Sequence, residues 1–279
     1  MKRRFIQCDV FTSTPTRGNA LAVVVDGDGL DTESMQQFAA WTNLAETTFI
    51  CTSDDPEVDY HLRIFTPIRE MLFAGHPTLG SCAAWLHCGG KPKQAGLVRQ
   101  MCGIGIVEID VTNPELLAFT APPTEVRPMS QDSYDAILAA AKIPEQRILQ
   151  TAELDNGPVW QVFRLDSAES VLAVDATKLR WPDFRGIGFI GAHPPGSECA
   201  YEVRLLAPSS GMPEDPITGS LNSALAHWLQ GEGLLKEPLW NAQGTSIGRH
   251  GRVLVCPVDD GSVKIGGQTH VLIEGTLEL

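Results

Sequence analysis

Apolar and polar residues alternate in two octapeptides that share three residues at matching places. Residues 60–67 read YHLRIFTP and residues 201–208 read YEVRLLAP, so tyrosine, arginine and proline recur at a constant offset of 141 positions (201 − 60, 204 − 63 and 208 − 67). Alternation with a period of two predicts a half-buried strand in each copy. A repeat at this distance predicts that the chain contains two related units.

A second pair of related segments follows the two strands. The first reads HPTLG from His76 and the second reads DPITG from Asp215. A polar side chain followed by proline is typical of a helix start, with the polar residue as the N-cap and proline as the first helical residue. Small and apolar residues then continue at helical spacing to a Trp-Leu pair in both copies, which predicts helices that are buried on most sides.

Strand, loop and buried helix occur twice, and this order predicts two lobes in which a sheet wraps a central helix. A ligand is expected in a cleft between the lobes, at the positive N-terminal ends of the two helices. The rest of the pattern predicts ordinary elements: an amphipathic helix over residues 30–43, a strand over 46–51, a helix over 133–142 and a strand-turn-strand unit over 251–267.

Composition and charge narrow the class of protein. The chain has 279 residues, of which 43% are apolar, and this is enough for one large domain or two medium ones. Its net charge of −13 opposes binding to the phosphates of nucleic acids and to anionic membrane surfaces, but it allows a small anion in a locally positive pocket. We therefore expect a small-molecule partner, no nucleic acid and no membrane.

Three further features bear on the location of the protein. No apolar run approaches the roughly 18 to 20 residues of a membrane span, and the N-terminal sequence lacks the continuous apolar segment of a secretory signal. The seven cysteines are odd in number, scattered and not spaced as C-x-x-C, so they are interpreted as reduced thiols. Together these features predict a cytoplasmic protein.

Four side chains are candidates for chemistry, and each also has an ordinary structural explanation. Glu46 stands where a helical pattern stops and a strand begins, although acidic residues there are usually solvated. His76 and Asp215 at helix starts could serve only to satisfy backbone groups, and Ser220 on the following turn could bond only to the backbone. As a set, however, they could surround a small molecule with titratable groups.

The motifs allow three other interpretations. Residues 186–191, GIGFIG, match a dinucleotide-binding fingerprint, but the paired prolines that follow exclude the required helix. Ser220, His76 and Asp215 could form a hydrolase triad, but the serine lacks the G-x-S-x-G elbow. The seven histidines and the acids show no metal-ligand spacing, so no metal site is expected.

Several motifs, in order and at matching spacing, resemble one family along essentially the whole chain. They are DVFT at 9–12, GNALAVV from Gly18, ETTF from Glu46, RIFTP from Arg63, FAGHPTLG from Phe73, EDPITGS from Glu214 and the closing segment VKIGGQTHVLIEGTLEL. The chain resembles the phenazine biosynthesis PhzF-like isomerase family, which shares the diaminopimelate epimerase fold. The resemblance implies an α+β fold of two pseudo-symmetric lobes, each a curled, barrel-like, mainly antiparallel sheet around a central helix. It implies an N-terminal lobe of residues 1–121 plus 269–279, a C-terminal lobe of residues 122–268, and a homodimer.

The resemblance also implies a function. It is cofactor-independent isomerisation or epimerisation, in which Glu46 moves a proton on a small carboxylate-bearing substrate in the cleft between the lobes. The supporting catalytic residues and the substrate-binding residues implied by the same motifs are His76, Asp215, Ser220, Gly18, Asn19, Gly75 and Gly219. Related epimerases use two cysteines, whose positions here are held by Ala74 and Leu221. Two-cysteine racemisation is therefore not expected.

Two departures from the family pattern affect which properties of the family are expected of this chain. Leu72 replaces a common proline, and Leu221-Asn222 follows Ser220 where small residues are common. The aromatic precursor of phenazine synthesis is therefore not carried over as the substrate. The main alternative function is a non-catalytic protein that binds a small molecule in the same cleft, and a serine hydrolase is the third.

Overall fold

The chain divides into two compact units. The computed structural model describes residues 1–208 and 210–279. Unit 1 contains Met1–Thr120 and Gly266–Leu279, and unit 2 contains Ala121–Ile265.

Each unit has its own strands and helices. Unit 1 begins with β1 (Lys2–Val10), β2 (Asn19–Val24), α1 (Thr32–Thr42), β3 (Glu46–Cys51), β4 (Tyr60–Phe65), β5 (Glu70–Met71), α2 (Gly75–His87), β6 (Leu97–Cys102), β7 (Gly105–Asp110) and β8 (Leu117–Thr120). The next elements are β9 (Glu125–Arg127), α3 (Gln131–Ala141), β10 (Ile148–Asp155), β11 (Val159–Leu165), α4 (Ala168–Leu172), β12 (Ile187–Ala192), β13 (Tyr201–Leu206), β14 (Glu214–Asp215), α5 (Gly219–Gly231), β15 (Leu239–Gln243), β16 (Gly251–Pro257) and β17 (Val263–Gly267). The chain passes back into unit 1 within β17, and β18 (Thr269–Glu278) completes unit 1.

The two units pair their strands in the same order. In unit 1, β1 and β2 are antiparallel, β2 and β3 parallel, β3 and β4 antiparallel, β4 and β6 parallel, and β6 and β7 antiparallel. In unit 2 the same series runs through β10, β11, β12, β13, β15 and β16. The short strands β5 and β14 pair antiparallel with β4 and β13, which carry the repeated octapeptides. The prediction of an α+β fold with two similar, mainly antiparallel units is confirmed.

The central helices α2 and α5 follow β5 and β14, and most residues of each are buried. Helix α2 packs against β1, β2, β3, β8 and β18 of its own unit. Its Gly80 lies so close to β2 and β1 that an added Cβ would come within 2.6 Å of Leu21 and 2.9 Å of Val10. The small residues of this helix therefore allow the sheet to approach it, and the predicted burial on most sides is confirmed.

The predicted starts of these two helices were wrong. Helix α2 begins at Gly75, so His76 is its second residue and not its N-cap. Helix α5 begins only at Gly219, and Asp215 lies in β14, where it pairs with Leu205. An Asp-Pro pair looks like a helix start locally, but here the aspartate belongs to a strand ladder. The equivalent helix positions are therefore Gly75 and Gly219, followed by His76 and Ser220.

The other predicted elements are present. Helix α1 has Asp31 as its N-cap, whose carboxylate accepts a hydrogen bond from the N–H of Ser34 at 2.7 Å. Helix α3, strand β3 and the strands β16 and β17 lie in the expected segments. Within residues 1–208 and 210–279, no helix is both long enough and apolar enough to cross a membrane.

An arginine–glutamate pair recurs in both units. Arg63 on β4 pairs with Glu70 on β5 at 2.7 Å, and Arg204 on β13 pairs with Glu214 on β14 at 2.8 Å. The first pair is partly exposed, with side-chain exposures of 21% and 39%, whereas those of the second are 4% and 3%. The repeated arginine of the octapeptides thus holds a short strand in place in each unit.

Candidate active site

In unit 1, three candidate residues converge because of the sheet topology. Asn19 and Glu46 are the first residues of β2 and β3. Since β2 and β3 run parallel, with Leu21 opposite Glu46, the two strands begin at the same end of the sheet. His76 on the first turn of α2 contacts both residues there.

His76 lies between an amide and a carboxylate. Its Nδ1 atom is 3.3 Å from Nδ2 of Asn19, and its Nε2 atom is 3.4 Å from Oε2 of Glu46. Because the Asn19 amide donates to Nδ1, the ring proton of a neutral imidazole lies on Nε2 and faces the Glu46 carboxylate. Burial of the ring lowers the pKa of His76 to about 3. At neutral pH, His76 is therefore an uncharged side chain beside a carboxylate whose side chain is 16% exposed.

Hydrogen bonds between hydroxyl groups fix the strand that carries Glu46. The Oγ1 atom of Thr48 lies 2.8 Å from Oγ of Ser81, which joins β3 to α2. The Oγ1 atom of Thr47 lies 2.8 Å from Oγ1 of Thr42, which joins β3 to the end of α1. Glu46 therefore starts a strand that is tied to the helix of His76, and this sets the spacing of the two side chains.

Packing within unit 1 explains why position 18 is a glycine. Its N–H donates to Oδ2 of Asp9 at 3.0 Å, and an added Cβ would lie 2.4 Å from the carbonyl oxygen of Val10. No larger residue fits this position without moving β1. The close packing of Gly18 in turn fixes the start of β2, where Asn19 is placed.

In unit 2, Asp215 and Ser220 lie on either side of the start of α5. They are only 7% and 5% exposed. The hydroxyl of Thr218 donates a short hydrogen bond to Oδ2 of Asp215, and Nδ2 of Asn156 donates to the carbonyl oxygen of Ser220 at 2.8 Å. Both candidates are thus held by polar groups of their own unit.

The two central helices share an uncapped start. In the described residues, neither Ala74 nor Thr218, the N-cap residues of α2 and α5, makes a side-chain capping hydrogen bond. The first N–H groups of a helix have no acceptor within the helix and carry the positive end of its dipole. Gly75 and Gly219 therefore begin helices whose ends suit an anionic group such as a carboxylate.

Sequence reasoning missed a group of buried amides next to Asp215. Gln243 at the end of β15 contacts Thr218, and Asn222 on α5 contacts both Gln243 and Asn241. These three amides are at most 1% exposed. The available signal was weak: polar amides in the short strand LWNAQ and in an otherwise small and apolar helix.

The geometry also bears on the alternatives. A triad histidine needs one ring nitrogen for the serine and the other for the acid, whereas both nitrogens of His76 face Asn19 and Glu46. The hydrolase interpretation is therefore not favoured. The segment GIGFIG lies mainly in β12, and the next element is β13, so the dinucleotide fingerprint lacks its helix. Across residues 1–208 and 210–279, no group of three or more His, Cys, Asp or Glu side chains is arranged to hold a metal ion.

Known proteins match this chain over almost its full length. The family model for phenazine biosynthesis-like proteins, PhzC-PhzF, matches residues 8–275. Antisense-enhancing sequence 1 of Schizosaccharomyces pombe is 32% identical over 97% of both chains. A trans-2,3-dihydro-3-hydroxyanthranilate isomerase of Pseudomonas fluorescens is 30% identical over 88% of this chain and 87% of that protein. The crystal structure of a PhzF family protein of Bacillus anthracis has a TM-score of 0.84 at 20% identity and 100% coverage of both chains.

These matches confirm the resemblance drawn from the motifs. The structural match confirms the fold, and the family match extends over nearly every element of both units. The chain therefore belongs to the phenazine biosynthesis-like protein family, in which it is related to proteins named as isomerases.

Proposed function

We propose that the protein is a cofactor-independent isomerase or epimerase that moves a proton on a small carboxylate-bearing substrate, with Glu46 as the acid/base group. The observation that carries this proposal is the pair formed by Glu46 and His76. A partly buried carboxylate lies 3.4 Å from a buried histidine whose lowered pKa keeps it neutral. A positioned carboxylate of this kind is a common general base.

The proton transfer balances within the substrate and one side chain. The ionised Glu46 takes a proton from a carbon that is activated by a neighbouring carbonyl or π-system, so a C–H bond breaks and a carboxyl O–H bond forms. The same carboxyl group then returns the proton to another carbon or to the opposite face. His76 lies beside one carboxylate oxygen, Oε2, and we propose that the other oxygen faces the substrate.

The start of α2 supports the choice of a carboxylate substrate. Its N–H groups are not capped by the side chain of Ala74, and they lie on the same turn as His76. A substrate carboxylate there would accept hydrogen bonds from the helix end and gain from its dipole. On the family motif, we also assign Asp215 and Ser220 to substrate contact.

The relatives suggest a substrate class without naming the substrate. One relative is named as an isomerase of trans-2,3-dihydro-3-hydroxyanthranilate, an unsaturated carboxylic acid. Leu72 and Leu221-Asn222 depart from the family pattern, so we propose the class of unsaturated or amino carboxylic acids and not that compound.

The proposal is tested with a panel of small amino acids and unsaturated carboxylic acids, including the compound named above. Thermal shifts report binding, and NMR in D2O reports deuterium incorporation into carbon. An isomerase is expected to bind at least one compound and to exchange its proton. Binding without exchange for every bound compound would favour the non-catalytic binder, and labelling of Ser220 by a fluorophosphonate would favour the hydrolase.

A further inference from the structure

We infer that Thr218 and Gln243 are positioning residues that hold the Asp215 carboxylate in one orientation as a hydrogen-bond acceptor. The inference rests on the proposed function, in which Asp215 contacts the substrate, and it adds two residues that act through Asp215 without touching the substrate. The geometry of the segment between β14 and α5 carries it.

Thr218 occupies a capping position but does not cap. A threonine at an N-cap usually accepts a hydrogen bond from an N–H group of the first helical turn. The side chain of Thr218 makes no such bond, and its hydroxyl instead donates to Oδ2 of Asp215. The hydroxyl is therefore used for the aspartate and not for the helix.

Gln243 sets the direction of that hydrogen bond. Its Nε2 atom donates to Oγ1 of Thr218 at 3.0 Å. A hydroxyl carries a single hydrogen, and the hydrogen of Thr218 is therefore directed away from Gln243 and toward Asp215. The same Nε2 atom lies 3.4 Å from the carbonyl oxygen of Asp215, so Gln243 holds both the backbone and, through Thr218, the side chain.

The orientation of the Gln243 amide is itself fixed. Its Oε1 atom accepts from the N–H of Thr218 at 3.0 Å and from Nδ2 of Asn222 at 2.9 Å. Asn222 in turn accepts from Nδ2 of Asn241 at 2.9 Å. A reversed amide at Gln243 would place donors against donors. The series of hydrogen bonds from Asn241 through Asn222, Gln243 and Thr218 therefore has a single donor direction, and it ends at Asp215.

Burial makes this series of hydrogen bonds costly to break and shields it from solvent. Asn222 and Gln243 are completely buried, Asn241 is 1% exposed and Thr218 is 8% exposed. Amide and hydroxyl groups do not titrate in the physiological range, so the direction of donation does not change with pH. These hydrogen bonds therefore fix the orientation in which the Asp215 side chain accepts.

The test compares two substitutions at Thr218 in two backgrounds. Thr218→Val keeps the shape of the side chain but removes the donor, and Thr218→Ser keeps the donor. On a compound that the wild type turns over, we expect Thr218→Val to lower kcat by about 10- to 100-fold with little change in KM, and Thr218→Ser to stay within about threefold of wild type. In the Asp215→Asn background, Thr218→Val should have almost no further effect, because the residue acts through Asp215.

Equal losses from Thr218→Val in both backgrounds, or no loss in the first, would overturn the inference. If Thr218→Val does not fold, Gln243→Met takes its place in both backgrounds, with the same measurements and the same expected results. If the wild type exchanges no compound at all, it is the proposed function that fails. Crystal structures of Thr218→Val and Thr218→Ser then decide the positioning role: an Asp215 side chain unmoved in Thr218→Val overturns it, and one that turns only in Thr218→Val supports it.

Discussion

Burial of His76 lowers its pKa from 6.5 to about 3, and this links a single residue to the pH dependence of stability. Between these two values the unfolded chain binds a proton at this residue that the folded chain does not bind. Stability therefore rises with pH over this range, and it is lost as the pH falls below about 6.5. The contribution of His76 is fully present only above that value.

The corresponding prediction compares wild type with His76→Gln in urea unfolding at pH 7 and pH 5. Wild type should lose about 2 kcal/mol more unfolding free energy than the variant between the two pH values, because glutamine cannot take up the proton. The difference between wild type and His76→Gln at the two pH values is the quantity to measure, because it cancels the groups that the two proteins share. Equal pH dependence of wild type and His76→Gln would show that His76 is protonated as readily in the folded state.

Motif reasoning could identify Glu46 and His76, because both stand in short segments with a distinctive order of residues. It could not identify Thr218 or Gln243. Their role depends on a strand and a helix start that are 25 residues apart in the chain and meet only in the folded unit. An amide in a short apolar strand has no local signature that separates it from an ordinary polar residue.

The repeated arginine–glutamate pairs show how one element can have different energetics in the two units. Arg204 is buried and also donates to the carbonyl oxygens of Val171 and Val174, so it joins β13 and β14 to the end of α4. Removing one partner of a buried pair leaves a buried charge unpaired, whereas an exposed pair contributes little.

This contrast gives a matched prediction at the level of the short strands. Glu214→Gln should lower the free energy of unfolding by about 3 kcal/mol, and Glu70→Gln at the equivalent position by less than about 1 kcal/mol. Chemical denaturation of both variants under the same conditions measures the difference. Equal losses would mean that burial of the Arg204 pair does not set its contribution.

Sequence comparison found the repeated strands but misaligned the helices that follow them. The octapeptides are offset by 141 positions, whereas the helix starts Gly75 and Gly219 are offset by 144. The difference arises because seven residues (207–213) separate β13 from β14, against four (66–69) between β4 and β5. The resemblance of HPTLG to DPITG concealed this longer connection, since it places a strand residue against a helix residue.

At the scale of the whole molecule, the two units share a series of strand pairings, of which the two octapeptides indicated only one strand in each unit. Identical order of antiparallel and parallel pairs, with the central helix at the same point, is the structural form of the duplication. Two copies of a single pattern explain why a few motifs predicted the fold class. The loops and the amides around the helix starts differ between the two units, so the repeated motifs could not predict them.

The family resemblance leads us to expect a homodimer. The chain has a mass of 30.2 kDa, so light scattering on a sizing column should give about 60 kDa. The measurement should be repeated over a wide range of protein concentration, because a weak dimer dissociates on dilution. A single species near the mass of one chain at all concentrations would contradict this expectation.

The central claim is that Glu46 carries the proton, and the most direct measurement is the rate of deuterium incorporation into a bound compound in D2O. Wild type, Glu46→Gln and Glu57→Gln are compared side by side, since Glu57 is an exposed glutamate of the same unit. We predict that Glu46→Gln binds the compound but loses exchange by at least about 10²-fold, while Glu57→Gln exchanges at the wild-type rate. Exchange by Glu46→Gln at the rate of wild type would contradict the account.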